Sequence, residues 1–369
     1  MTTQISNSGP QPVSSPRRAS GCLARVASAI GALILFVAYL WGCGALWWSP
    51  LGPAWVRAIA VAMLLIAAVV VIWRLRGARR WLALVAVWLI PFAWFWFAPA
   101  TNDANWQPAS RIAPVITFDA DRFTVQKVRN FYWRTNDDYD ERWEERTYDL
   151  SKLRTMDLFM SYWGPTLICH TFVSFGFEDG RQLVISVEVR RKLGQHYGTL
   201  SSFFRDYELI YVFADELDVV YLRTNVVNEP VHLFRIEAPI AGIRGLLTEY
   251  IERANRMAAH PEWYNAITNS CGVNIIQNAW AEGSKRPVTW RLLFNGEWPR
   301  YAYDRGLLDP GTPFDQVFAQ SIINARARQA GHSPEFSRAI RAGTLEVYKV
   351  PDAYEPTNIP TTPSDGKRP

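Results

Sequence analysis

Three long stretches without charge crowd the first hundred residues, and any fold must accommodate them. Val26 to Trp48 runs uncharged for 23 residues, Ala58 to Trp73 for 16, and Trp81 to Ala98 for 18. An apolar helix of roughly 20 residues spans a bilayer core, so each stretch reads as a transmembrane helix, the second extended through Trp55 and a snorkelling Arg57. Tryptophans 47, 48, 55, 73, 94 and 96 gather at the ends, as an interfacial belt requires. Residues 1–100 hold eight arginines and no Lys, Asp or Glu, whereas the remaining 269 carry 31 basic against 34 acidic residues, so the pI near 9.0 reports the N-terminal third. A nucleic-acid partner needs its basic excess on the folded part of the chain, and that part is net acidic, which excludes one.

Arg17, Arg18 and Arg25 precede the first span, and Arg74, Arg76, Arg79 and Arg80 surround the second connection, while Ser49 to Trp55 has no charge. The positive-inside bias puts both basic segments in the cytoplasm, two crossings apart. Everything after Ala98 is then on the outer side of a multi-pass membrane protein. A cleaved signal peptide fits poorly, because no small-residue cleavage site cleanly follows the first span and two more spans come after it. Cys22 follows Ala19-Ser20-Gly21 but has no apolar stretch before it, as lipid attachment would need, and Arg17-Arg18 fits a topology anchor as well as twin-arginine export. The resulting domain reading is a disordered cytoplasmic tail over 1–22, a three-helix membrane region over 23–100, one α+β domain over 101–350, and an extended or disordered proline-rich tail over 351–369.

Within the domain, Val115 to Tyr132 reads as strands, Asp149 to Leu158 as holding a short helix, and Tyr207 to Val220 and Val231 to Ile236 as further strands with a turn at Asp215-Glu216. Ala241 to Ala259 is the clearest helix, with Ile243, Leu246, Leu247, Tyr250 and Ile251 on one face. The run Cys169 to Val189 (CHTFVSFGFEDGRQLVISVEV) is a hairpin whose register depends on its loop. A two-residue loop pairs Val173 with Ser186. A three-residue loop, Glu178-Asp179-Gly180 with Gly180 at positive φ, pairs Phe175 with Leu183 and Val173 with Ile185 and gives one largely apolar face. That register puts His170 across from Glu188 and Phe172 across from Ser186.

An imidazole directly opposite a carboxylate lies within reach of it, which sets the tautomer and frees the other nitrogen to act as a base. The alternative for His170 is an ordinary half-buried histidine. In PEWYNAITNSC (Pro261 to Cys271), Ser270 is a good N-cap, and Val273, Ile276 and Trp280 share one face of the helix that follows. Cys271 then sits in a first helical turn, where the macrodipole and free N–H groups lower a thiol's pKa and can hold an oxyanion. A buried filler thiol remains the other reading. Cys43 lies in the first span, Cys169 falls on the apolar face of the hairpin, and a Cys169–Cys271 disulfide would abolish thiol chemistry. No Cys/His/Asp group has metal spacing, no glycine-rich phosphate loop occurs, and no cofactor is expected.

The stretches Lys127–Tyr139, Arg146–Gly164, His170–Arg181, Ser186–Gly194, Phe203–Asn225, Pro261–Cys271 and Ile323–Ala327 resemble the periplasmic domain of the Lnb-type lipoprotein N-acyltransferases, a family formerly described as a domain of unknown function. The resemblance covers about residues 102–342. It implies a circularly permuted papain-like (NlpC/P60-like) fold, with His before Cys in the chain, and acyl transfer from a phospholipid to the N-terminal cysteine amine of a lipoprotein. By motif, Cys271 is the nucleophile and His170 the base; Glu188 is chosen as orienting residue from the register. Ser270, Gly272 and Ser186 form the oxyanion or local site. The family pattern at the cysteine reads Asn-Cys-Thr-Thr, whereas this chain reads Ser270-Cys271-Gly272-Val273.

Arg134, Arg154 and Arg223 are candidates for contact with lipid phosphate. The expected partners are a phospholipid donor, a lipoprotein acceptor and the bilayer. Two other readings share the residues: a membrane-tethered cysteine peptidase or amidase acting on cell-wall peptides, with water as acceptor, and a non-catalytic envelope scaffold in which Cys271 is occluded.

Overall fold

The computed structural model describes residues 17–164, 166–281, 283, 290–309 and 311–343, and the chain divides into two compact units after Ala98. In the first, helices α1 (Arg17–Trp47), α2 (Ala54–Arg74) and α3 (Gly77–Phe97) are each long and apolar enough to cross a membrane. α1 begins at Arg17, six residues inside the stretch read as a tail. Polar groups in an apolar layer must find acceptors within the protein. Accordingly, the Tyr39 hydroxyl donates to the Leu84 carbonyl and Trp88 Nε1 to the Ala38 carbonyl, both at 2.8 Å. Arg57 Nη1 donates to the Trp47 carbonyl at 3.0 Å, serving an end carbonyl that α1 leaves unpaired. The proline-rich segment 351–369 lies outside the described residues.

The second unit is α+β. Its strands are β1 (Ile116–Asp119), β2 (Arg122–Arg129), β3 (Tyr132–Trp133), β4 (Tyr139–Asp140), β5 (Trp143–Asp149), β6 (Leu153–Ser161), β7 (His170–Phe177), β8 (Gln182–Arg190), β9 (Glu208–Ala214) and β10 (Val231–Arg235). The main sheet runs β1-β2-β9-β8-β7-β6-β10, with β5 paired to β2 and β3–β4 forming a separate hairpin. Every residue of β7 and β9 is buried, so both faces of the sheet are covered. On one face Val173, Phe175, Ile185 and Tyr211 pack under Leu247 and Tyr250 of α5 (Ile240–Ala259), and under Ile275 of α6 (Cys271–Ala281). On the other, Phe159, Phe172, Val184 and Val212 pack under Val219 and Val220 of α4 (Glu216–Tyr221) and under Phe336.

The β7–β8 hairpin takes the three-residue loop. Phe172 pairs with Ser186, Val173 with Ile185 and Phe175 with Leu183; Phe177 N–H donates to the Arg181 carbonyl at 3.0 Å, and Gly180 adopts φ +82°. Two expectations need correction. Asp149 to Leu158 forms a helix only as one tight turn, Leu150–Lys152, capped by Asp149; from Leu153 the chain is β6, because Met156, Leu158, Phe159 and Met160 are buried between β7 and β10. Tyr207 to Val220 is a strand only to Ala214. Asp215 accepts the Leu217 N–H at 2.8 Å and opens α4.

The end of the described chain is tied back through the core. Arg341 bonds Asp157 of β6 at 2.8 Å and Glu216 of α4, and Asp157 also takes Arg235. Burial opposes the Asp157 charge, yet the two guanidiniums hold its carboxyl below the usual range.

Candidate active site

The segment before Cys271 is a scaffold built on side-chain amides. Asn265 Oδ1 accepts the N–H groups of Ile267 and Thr268, and Asn269 Nδ2 donates to Glu262 and to the Trp263 carbonyl. Tyr264 N–H donates to Tyr207, Leu209 N–H to Glu262, and Ala266 N–H to Ser202, which fastens this turn to the start of β9. α6 then starts at Cys271, its first i→i−4 bond running from Asn274 N–H to the Ser270 carbonyl at 3.0 Å. The N–H groups of Cys271 and Gly272 therefore belong to the first turn and have no acceptor within the helix. Gly272 is buried, and a Cβ there would lie 3.3 Å from the Trp298 ring, so even alanine would press on that indole.

His170 opens β7 and is buried. Its Nε2 lies 2.9 Å from Ser186 Oγ and 3.1 Å from Glu188 Oε1, and Ser186 Oγ in turn donates to Glu188 Oε1 at 2.7 Å. A hydrogen bond also joins the His170 ring to the Cys271 thiol. The Thr171 N–H also points to the Cys271 sulfur. Burial opposes charge on the ring, but the facing Glu188 carboxylate outweighs it and His170 rises to about 9. Burial would likewise raise the thiol, yet the hydrogen bond and charge of His170 bring Cys271 below its ordinary value. Glu188 is held well below the usual carboxylate range, against its burial, by His170 and Arg223. This is the electrostatic pattern of a thiolate beside an imidazolium, with the carboxylate keeping the ring oriented.

Cys169 is different in kind. It is buried, burial pushes its thiol up to about 12, and both it and Cys271 are free, so no disulfide ties them. His232 is buried against Ser321, and burial brings its imidazole down to about 4. Among the described residues no group of His, Cys, Asp and Glu is placed to hold a metal.

Of the three arginines proposed for lipid phosphate, only Arg223 reaches the site. Its Nη1 lies 3.1 Å from Glu229 Oε2 and its Nη2 3.9 Å from Glu188 Oε2, so its charge is directed to carboxylates. Arg134 is engaged by Asp138 at 2.6 Å and Asp140 at 3.0 Å in the exposed β3–β4 hairpin. Arg154 pairs with Glu178 at the tip of the β7–β8 hairpin, at the other end of β6 from the Ser161–His170 pair, roughly 25 Å along the strand. A cleft of about 820 Å³ also lies at that far end, lined by Arg146, Asp179, Arg181, Asp215 and Arg341. Those charges largely satisfy one another, as in the Arg146–Asp215 pair at 2.6 Å and the Arg181–Asp179 pair at 2.7 Å.

Asn295 is a site residue that the sequence does not disclose. Its Oδ1 accepts the Cys169 N–H at 3.1 Å, and its Nδ2 donates to the Cys169 carbonyl and to Thr171 Oγ1, so it brackets His170 on both sides. The residue after it, Gly296, meets the loop before β7 so closely that a Cβ would lie 1.8 Å from the Thr166 carbonyl oxygen. Nothing local marks Asn295, because its partners lie more than 120 residues earlier in the chain.

No curated protein and no solved structure matches the chain significantly. A family model does match, over the stretch that holds His170, Ser186, Glu188 and Cys271: residues 139–296 are similar to the family described as the Lnb N-terminal periplasmic domain.

Proposed function

We propose that this chain is a membrane-anchored thiol acyltransferase that moves an acyl chain from a phospholipid to the N-terminal cysteine amine of a lipoprotein. The observation that carries this reading is the Cys271–His170–Ser186–Glu188 relay, with the thiol at a helix N-terminus. Three apolar helices on the same chain supply the membrane, and a periplasmic-domain family supplies the compartment. The N-terminus and the α2–α3 connection, with their arginines, face the cytoplasm in this reading, and the membrane is the inner one.

The Cys271 thiolate attacks the ester carbonyl of the donor, forming a C–S bond. The tetrahedral oxyanion accepts first-turn N–H groups of α6, and the C–O bond breaks as His170 protonates the departing lysophospholipid. The lipoprotein's α-amine then attacks the thioester carbonyl, neutral His170 takes the proton the nitrogen loses, and the C–S bond breaks to give an amide and the thiolate–imidazolium pair. Ser186 and Glu188 hold the ring throughout, and Arg223 holds Glu188.

The test uses the full chain expressed in cells that lack their own lipoprotein N-acyltransferase, with the N-terminus of a reporter lipoprotein read by mass spectrometry. Wild type is expected to add one acyl chain to the reporter's amine, and Cys271→Ser none. If the amine stays free with both, while both proteins are folded and membrane-inserted, acyl transfer is wrong for this chain. Cleavage of cell-wall peptides by wild type alone would then favour the peptidase or amidase.

A further inference from the structure

The most exposed apolar side chains of the second unit gather at the end of the sheet that carries the thiol. Trp163 and Ile168, in the loop between β6 and β7, are 51% and 54% exposed, with Leu167 between them at 44%. That loop leads directly into His170, and Asn295 and Gly296 brace it. The connection from β8 to β9 exposes Leu193 and Leu200, at 62% and 60%, and the turn before Cys271 exposes Ile267 at 66%. The segments 162–169, 193–204 and 263–273 together contain no Asp, Glu, Lys or Arg, on a domain that is otherwise densely charged. Exposed apolar surface of this extent, concentrated and uncharged, marks an interaction face.

The chain itself joins the domain at this same end. Thr101 N–H donates to Glu208 Oε1 at 2.7 Å, Asn102 Nδ2 to the Ala258 carbonyl at 2.7 Å, and Arg190 Nη1 to Asn102 Oδ1 at 2.7 Å. Glu208 begins β9 and Arg190 ends β8, next to Glu188. Thr101 and Asn102 are therefore already hydrogen-bonded within the second unit, a few residues along the chain from the end of α3 at Phe97.

We propose that this uncharged end is a lipid-surface docking face: the loop residues 162–164, 166–169, 193–204 and 263–270 sink into the outer leaflet's interfacial layer and flank Cys271. Aromatic and aliphatic side chains of this kind settle at the boundary of headgroups and acyl chains, about 5–10 Å deep. Docked in this way, the thiol meets an ester at the depth where phospholipids carry it, and an acyl chain enters between the loops without crossing water. That last consequence rests on the acyltransfer reading; the docking does not.

The full chain is reconstituted in vesicles of phosphatidylethanolamine and phosphatidylglycerol with a nitroxide at one introduced cysteine: Leu167→Cys, Leu200→Cys, Ile267→Cys or, at the opposite hairpin tip, Asp179→Cys. Each carries Cys22→Ser, Cys43→Ala and Cys271→Ser, and the buried Cys169 is left in place. Labels at 167, 200 and 267 are expected to collide several-fold more with oxygen, relative to a water-soluble nickel chelate, than the label at 179. Equal ratios at all four positions would overturn the docking face, and so would ratios that rise only when a lipoprotein is added, which would assign the face to protein. Because Cys271 is absent from every labelled chain, docking without lipoprotein acylation by wild type would sink the acyltransferase and leave this inference standing. In wild-type background, the pair Leu167→Asp and Ile168→Asp is expected to cut acylation from vesicle lipid at least tenfold while hydrolysis of a soluble short-chain thioester persists.

Discussion

Glu188 sets the working range of the thiol by what it does to His170. With the ring raised to about 9 and Cys271 lowered, both shifts favour a thiolate–imidazolium pair below about pH 9. On the proposed mechanism the ring above that pH lacks the proton it gives to the leaving oxygen, so kcat/KM is expected to fall with an alkaline limb near pH 9. The same shifts bear on stability. The raised His170 contributes stability that is present below about 6.5 and is lost as pH climbs through about 9. The depressed Glu188 contributes stability above the ordinary carboxylate range, lost as pH falls through its lowered value. Glu188→Gln removes the opposing charge, and kcat/KM is expected to drop on the order of 10²-fold, with the alkaline limb moving to lower pH. A pH–rate profile with an unmoved limb would mean that Glu188 does not govern the ring.

Pairing within an element was legible from sequence, and packing between distant elements was not. The β7–β8 register follows from two local constraints, a glycine able to take positive φ and an apolar face that only one loop length assembles, and both act within about 20 residues. The N-terminal position of Cys271 on α6 is local in the same way. The short helix read at Asp149 to Leu158 gave way because its apolar residues serve a sheet that local pattern does not see. Asn295 and Gly296 are invisible for the same reason, since their roles exist only once the 295–297 turn meets the loop before β7. Gly296→Ala places a methyl where the Thr166 carbonyl sits. The expected cost is about 1–3 kcal/mol, and each kcal/mol lowers the domain's melting temperature by about 2–4 °C. Activity is expected to fall further than stability, because the displaced loop leads into His170. An unchanged melting curve would show that the loop yields freely.

At the scale of the whole molecule, the three apolar helices were legible from charge alone, while the place where the domain is fastened needed the fold. That fastening is Glu208, whose side chain is buried beneath Thr101. Burial raises its carboxyl to about 7, against the Thr101 N–H, which favours the charge. A raised carboxyl binds its proton more tightly in the folded state, so its contribution is fully present below about 4.5 and is lost as pH rises through about 7. Glu208→Gln, which cannot ionise, is expected to remove that decline, and unfolding of the full chain at pH 6 and pH 8 measures it; a wild type as stable at pH 8 as at pH 6 on this account would refute it. The order of the parts along the chain carries one more consequence. His170 precedes Cys271 by 101 residues, so at about 5–20 residues per second the base leaves the ribosome about 5–20 s before the thiol. By the end of that interval the nascent chain holds its imidazole, its carboxylate and every strand of its sheet but not the Cys271 thiol. On the proposed mechanism, a chain released before Cys271 cannot form the thioester.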